Sequence, residues 1–123
     1  MRAVILFLFL MLPAIALPQQ AAQRDFPAGA KKLATEDVTQ RVANRTFTYK
    51  SPDGGSGRLE FKGNEVYMTS GTVTSSGLWR IDGSSVCFLL DQTPERYCAE
   101  LRGVGEATYL KRQTGEVVEL QAK

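Results

Sequence analysis

An alternation of apolar and polar residues with a period of two runs from residue 46 to the end of the chain. In RLEFK, Leu59 and Phe61 fall on one side of the pattern and the three charged residues on the other. Successive side chains of a β-strand point to opposite faces, so this period predicts strands with one buried face. The pattern recurs in FTYK, EVYM, LWRI, VCFLL, RYCAEL, ATYLK and EVVEL.

Turn-forming residues separate these runs at intervals of about 8–12 residues. The connecting segments are SPDGGSG, GN, DG, DQTPE, GVGE and TG, and the Gly-Asn at 63–64 and Asp-Gly at 82–83 are signals for tight hairpins. We therefore predict an all-β fold, an antiparallel meander of about eight strands over residues 46–122 that forms a small barrel or a sandwich.

One short helix is predicted before the strands, at about 35–43 in TEDVTQRVA. Thr35 is a candidate N-cap, and the acidic residues that follow it favour the positive end of the helix dipole. Val38 and Val42 stand one turn apart, so they would share the face that packs on an open end or edge of the sheet.

The N-terminus resembles a secretory leader. Met1-Arg2 precedes the uncharged run AVILFLFLMLPAIAL, which contains the small-residue pair Ala14-x-Ala16. This pattern predicts a signal peptide over residues 1–16, cleaved after Ala16, and a periplasmic or secreted protein. A membrane anchor is the alternative, but the run is shorter than the roughly 18–20 residues of a spanning helix, so we expect no stable membrane insertion after cleavage.

The mature chain is predicted to be one domain with a leading tail. Residues 17–32, LPQQAAQRDFPAGAKK, show no period and are predicted to be flexible, and residues 33–123 form the single β domain. Beyond the leader, 14 Lys and Arg balance 13 Asp and Glu without a basic stripe. A nucleic-acid partner is therefore not expected.

Cys87 and Cys98 are the two cysteines of the chain and flank the turn DQTPE. If Leu90 pairs with Glu95 across a four-residue loop, the register places the cysteines directly opposite each other. An exported chain should oxidise such a pair to a structural disulfide. A CxxC redox pair has two intervening residues rather than ten, and the chain contains no His to complete a zinc site, so no metal or cofactor is expected.

The absence of His also removes the triads of Ser-His-Asp and Cys-His type, and we predict that the protein is not an enzyme. The remaining carboxylates alternate with apolar neighbours or lie in turns, as on a solvated face. They are Glu60, Glu65, Asp82, Glu95, Glu100, Glu106, Glu116 and Glu119. A hydrolase built from two of them stays open as a third hypothesis; it would require a cleft in which one carboxyl has a raised pKa.

The inward positions predict a filled interior rather than a cavity, because most of them are bulky. They are Phe47, Tyr49, Leu59, Phe61, Val66, Met68, Trp79, Ile81, Val86, Phe88 and Leu90, with Val117 or Leu120 from the last strand. We therefore expect any contact surface on the outside. Tyr67, Leu78 and Arg80 form the candidate binding patch, since they lie on the opposite face and Tyr and Arg are enriched where proteins bind each other.

The order GLWRIDGSSVCF followed by RYC resembles a loose, largely uncharacterised set of small exported bacterial β proteins. In these proteins a strand with a G-x-W motif leads into two strands that each carry a Cys. Gly77, Trp79, Cys87 and Cys98 match this pattern. Over residues 33–122 the resemblance implies a short helix, a β meander and an exported compartment, but no activity.

Two functions from different classes follow as hypotheses. The first is a non-enzymatic binding or accessory module that holds an unknown protein or small ligand at a barrel mouth or an exposed sheet face. The alternative is a periplasmic inhibitor of a protease or a lysozyme, which would insert the 17–32 tail or the 51–57 loop into its target. Such inhibitors are similar in being small, disulfide-stapled β-barrels, although a shared fold does not establish a shared function.

Overall fold

Residues 24–51, 54–92 and 96–123 are described by a computed structural model. The elements are β1 (Lys31–Lys32), α1 (Thr35–Val42), β2 (Thr46–Lys50), β3 (Ser56–Lys62), β4 (Glu65–Ser70), β5 (Val73–Asp82), β6 (Ser85–Leu90), β7 (Arg96–Val104), β8 (Ala107–Lys111) and β9 (Val117–Ala122). The predicted leader over residues 1–16 and residues 17–23 of the predicted tail lie outside the described residues.

The strands β2 to β9 form a closed antiparallel barrel. Each strand pairs with the next along the chain, and the ring closes between β2 and β9, where Phe47 lies opposite Ala122. The predicted all-β meander with one short helix is thus confirmed, and it is a barrel rather than a sandwich. Because the chain alternates direction, the turn at 63–64 lies at one end of the barrel and the loop at 112–116 lies at the other.

The extra strand β1 corrects the expected extent of the flexible tail. Lys31 and Lys32 pair with Gly103 and Arg102 of β7. The pairing of β6 with β7 ends at Glu100, so β1 covers the part of this edge of β7 that β6 does not reach. The ring of Phe26 also lies 4.6 Å from the Arg102 guanidinium. A strand of two residues is too short to show an alternation of apolar and polar residues, so the sequence pattern did not predict β1.

Tight turns join the strands at the end of the barrel near α1. Gly63-Asn64 links β3 to β4 as predicted, while Asp82 pairs with Ser85, so the second tight turn is Gly83-Ser84 and begins one residue later than expected. Gly63 and Gly83 have φ of 59° and 61°. A positive φ at the first central position is the requirement of a type II′ hairpin turn, and glycine meets it without strain.

The helix α1 closes this end of the barrel, which we call the capped end. Val38 and Val42 are fully buried, as their spacing predicted. The N-cap is Ala34 rather than Thr35, since the Thr35 hydroxyl donates to the carbonyl of Gly83 (3.1 Å) and so joins the helix to the β5–β6 turn. Arg41 completes the attachment through hydrogen bonds to the β7–β8 hairpin.

Aromatic rings fill the interior beneath the helix. Phe61 stands at the centre of this cluster, with ring centroids 6.2 Å from Phe47, 5.1 Å from Trp79 and 6.3 Å from Phe88. All eleven inward positions named from the sequence are buried or packed against the core. Of the two candidates from the last strand, Leu120 belongs to the core cluster, whereas Val117 is buried outside the cluster. The core cluster also contains four residues that the list of inward positions did not include, namely Ala99, Leu101, Leu110 and Val118.

The G-x-W stretch has a structural basis in β5. A Cβ on Gly77 would lie 2.1 Å from the carbonyl oxygen of Leu89, so only glycine allows β6 to approach this closely. Two residues later, the indole Nε1 of Trp79 donates to the carbonyl of Gly63 (2.9 Å). The motif therefore shapes and anchors the barrel wall.

Candidate functional site

The end of the barrel opposite the helix, which we call the open end, contains a cavity of about 220 Å³. The expected filled interior is therefore found only towards the capped end. The physical reason is side-chain size, because Ser70, Ser75 and Ala99 occupy positions that line the cavity and are too small to fill it. A single-ring compound or a short alkyl chain fits such a space, since an apolar cavity of roughly 150 Å³ holds benzene.

The cavity has an apolar wall and a polar rim. The wall side chains come from five strands of the barrel and are Leu59, Met68, Phe88, Leu90, Ala99 and Leu110. The rim is formed where β8 leaves the barrel, by Arg112, Gln113 and Thr114, together with Ser70 and Ser75. Such a combination of a predominantly apolar lining and a few placed polar groups is typical of small-molecule sites.

Tyr97 stands between the wall and the core. Its ring centroid is 5.2 Å from that of Phe88, and its hydroxyl lies 3.7 Å from the sulfur of Met68. Burial raises the pKa of the Tyr97 phenol above 10.0, and neighbouring Tyr49 adds to the effect while Arg112 opposes it. A tyrosine phenol is already neutral at physiological pH, and burial extends the range over which Tyr97 stays neutral to higher pH.

An ion pair lies at the rim. Arg112 Nη1 donates to the carboxylate of Glu116, and the two side chains are only 25% and 15% exposed. The Arg112 guanidinium also stands 5.3 Å from the centroid of the Tyr49 ring, an arrangement in which the cation is attracted to the aromatic face. Glu116 therefore departs from the solvated role expected for the carboxylates.

Sequence reasoning missed Arg112, although a signal for it exists. Thr108 and Leu110 face inward on β8, so the period of two places Arg112 on the same side, just beyond the strand. When the alternation of inward-facing residues along a strand ends in a charged residue, that residue is expected to lie at the mouth of the barrel. Its partner Glu116 lies across the 112–116 loop, whose Gly115 N–H donates to the Arg112 carbonyl (2.8 Å).

The candidate patch predicted on the outer surface is exposed. Tyr67 and Leu78 are 38% and 47% exposed, and Arg80 is exposed beside them on the outer face of β5. The Tyr67 hydroxyl donates to Glu65 (2.7 Å), and this hydrogen bond to a carboxylate is the main cause of its raised pKa. The structure thus places the three residues on one face, and their role in binding stays a prediction.

Leu78 divides this face into two shallow depressions. The first, of about 130 Å³, lies between Tyr67 and Leu78, and the second, of about 220 Å³, lies between Leu78, Arg80 and Arg96. Leu89, which pairs with Leu78 across the strands and is 36% exposed, is a further apolar member that the sequence reasoning did not name. Both depressions lie on the outer face of the barrel, whereas the cavity at the open end is lined by inward-facing side chains.

The disulfide between Cys87 and Cys98 is confirmed, and the two residues are paired directly across β6 and β7 as the register argument required. Glu95, used in that argument as the partner of Leu90, lies outside the described residues. Cys87 is 1% exposed. The disulfide therefore joins two adjacent strands of the wall and leaves neither sulfur available as a free thiol.

Neither a cluster of metal ligands nor a membrane-spanning helix is found among the described residues. Over residues 24–51, 54–92 and 96–123, no three His, Cys, Asp or Glu side chains stand close enough to hold a metal ion. Within the same ranges, no helix has the length and apolar character needed to cross a membrane.

Comparison of the chain with protein-family models, with curated proteins and with solved structures finds no match in any of the three. Function must therefore be argued from the site itself.

Proposed function

We propose that this protein is a small, exported, non-enzymatic binding module that takes up one small apolar ligand in the cavity at the open end of the barrel. The cavity of about 220 Å³ is the observation that carries the proposal. A barrel of eight strands either fills its interior with side chains or holds one small ligand, and here the interior is filled only near the helix. Export by a leader cleaved after Ala16 is part of the proposal and is supported by the disulfide.

The energetics favour a ligand over water in this space. The wall is made mainly of aliphatic and aromatic side chains, which give water few hydrogen-bond partners, and burial of apolar ligand surface contributes about 25 cal/mol per Å². For a ligand of about nine non-hydrogen atoms, an efficiency of about −0.7 kcal/mol per atom, between the values for tiny and for drug-sized ligands, corresponds to a dissociation constant on the order of 10–100 μM.

The test is binding of n-octanol to the purified protein, measured by isothermal titration calorimetry. Ser75→Phe places a ring in the cavity from β5, and the matched control Thr74→Phe places the same ring on the adjacent, exposed position of the strand. We expect Ser75→Phe to weaken binding at least ten-fold and Thr74→Phe to leave it unchanged.

A second variant, Ala99→Leu, enlarges a wall residue on β7 and tests the same cavity independently. Circular dichroism and the melting temperature establish that each variant is folded. If octanol does not bind, or if both cavity variants fold and bind it as the wild type does, the proposal is wrong.

The inhibitor hypothesis makes a different prediction for the same protein. Deletion of residues 17–30 should leave octanol binding intact, because the cavity is lined by residues from the barrel and its loops. An inhibitor that acts through its tail would instead lose potency against its target hydrolase on this deletion. Loss of octanol binding from a folded deletion variant would contradict the cavity proposal.

A further inference from the structure

The cavity at the open end separates an apolar interior from a polar mouth. Leu59, Phe88 and Leu110 are at most 5% exposed and form its inner wall. Gln113 and Thr114 are exposed and stand at its outer limit. A ligand that contacts both regions must have an apolar body and one polar end, which defines it as a small amphiphile.

The charge at the mouth is balanced within the protein. Among the described residues that line the cavity, Arg112 is the charged one. Glu116 neutralises the charge of Arg112 through the ion pair. The backbone fixes the same loop, because the Arg112 N–H donates to the Glu116 carbonyl at 2.8 Å. Removal of either partner from a largely buried pair leaves an uncompensated charge, so the pair resists separation by a charged ligand.

We infer that the ligand is an uncharged amphiphile, such as an alcohol or ester with a medium-length alkyl chain, whose polar head lies beside the Arg112–Glu116 pair. This inference rests on the proposed function of the cavity. A carboxylate attracted by Arg112 would also approach Glu116 and be repelled by it. An ammonium group attracted by Glu116 would in the same way be repelled by Arg112. A hydroxyl head is suited to both residues, since it can accept from the guanidinium and donate to the carboxylate.

A second cation stands near this loop and must be distinguished from Arg112. The Nη1 of Arg24 lies 3.2 Å from the position that a Cβ on Gly115 would occupy, but Arg24 does not line the cavity. If the head group is selected by the Arg112–Glu116 pair, Arg24→Gln should leave the preference among ligands unchanged.

The wild-type experiment compares n-octanol, octanoate and octylamine at pH 7 by isothermal titration calorimetry. These ligands share one alkyl chain and differ in the charge of the head. We expect octanol to bind at least ten-fold more tightly than either ion. If an ion binds as tightly as octanol, the inference about the head group is wrong while the cavity remains a binding site. If none of the three binds, the proposed function itself is wrong.

Charge variants show whether the ion pair causes the preference. Glu116→Gln leaves Arg112 without its counter-ion and should tighten octanoate binding at least ten-fold, and Arg112→Gln should do the same for octylamine. Octanol affinity should change less than three-fold in both. Glu119→Gln, which removes an exposed carboxylate from the outer face of β9, is the matched control and should change none of the affinities.

The readout separates a role in head-group selection from a structural role, because a variant that only loosened the mouth would weaken all three ligands together. Folding of each variant is checked by its melting temperature. If one charge variant does not fold, the other and the wild-type ranking still decide. Unchanged ion affinities in a folded variant would overturn the inference.

Discussion

The guanidinium of Arg41 on α1 donates from Nη1 to the Oγ1 of Thr108 on β8, across 3.0 Å and 67 positions of sequence. The same side chain donates to the carbonyls of Gly105 (2.6 Å) and Ala107 (3.2 Å). Thr108 is 4% exposed, so its hydroxyl has little access to water and depends on this partner. One arginine thus attaches the helix to the β7–β8 hairpin and completes the capped end.

Replacement of this residue, Arg41→Ala, should lower the free energy of unfolding by about 2–4 kcal/mol. Hydrogen bonds to charged groups contribute about 1.5–3 kcal/mol, and loss of the donor leaves the buried Thr108 hydroxyl without its partner. Urea denaturation followed by circular dichroism measures the change. Arg45→Ala removes an exposed arginine three residues beyond α1 and should have an effect below about 0.5 kcal/mol. A similar loss in both variants would contradict the special role of Arg41.

Local pattern was sufficient to predict much of the fold. The period of two in RLEFK places Leu59 and Phe61 inside, and both are 2% exposed. The one-turn spacing of Val38 and Val42 likewise identified the buried face of α1. Both predictions succeed because the direction of a side chain in a strand or helix follows from backbone geometry alone. The position of Cys87 opposite Cys98 could also be derived, because the register of a hairpin is fixed by its loop.

The features that define the candidate site depend on closure of the barrel, which no local pattern specifies. Alternation shows that Ser75 and Ala99 face inward, but only the ring of eight strands brings them around one space. Bulky residues such as Phe61 then dominate an estimate of the interior, although the small side chains of Ser70, Ser75 and Ala99 leave a space at the open end. The pairing of Arg112 with Glu116 depends in addition on the conformation of a loop, so its charge balance could not be predicted.

The disulfide should contribute substantially to stability. In the chain-entropy model a loop closed across 11 positions stabilises the folded state by about 2–3 kcal/mol. For a domain of about 100 residues, this corresponds to a fall in melting temperature of roughly 10 °C or more in the double variant Cys87→Ala/Cys98→Ala. Differential scanning calorimetry measures the change, and the reduced wild type should melt close to the variant.

Mass spectrometry after alkylation provides the chemical control for this disulfide. Two thiols should react in the reduced wild-type protein, and none should react before reduction. Two free thiols in protein recovered from the exported compartment would contradict the proposed state of the mature chain, and an unchanged melting temperature would contradict the role in stability.

Tyr97 should make stability depend on pH in the alkaline range. Because burial raises the pKa of its phenol in the folded protein, the unfolded chain loses this proton first as the pH rises above about 10. The unfolded state then binds fewer protons than the folded state, and the free energy of unfolding must fall with increasing pH. Below about pH 9, roughly one unit under the ordinary tyrosine pKa, the phenol is almost fully protonated in both states, and its contribution to stability is constant.

Urea denaturation of wild type and Tyr97→Phe at pH 7, 8, 9, 10, 10.5 and 11 tests this expectation. The variant lacks the titrating hydroxyl, so its stability should fall less steeply than that of the wild type above about pH 9, whereas the slopes should be equal below about pH 9. Titration of phenolate absorbance near 295 nm, taken as the difference between the two proteins, should give a Tyr97 pKa above 10.0. A pKa at or below that value, or equal slopes at high pH, would show that burial does not raise the pKa of the Tyr97 phenol.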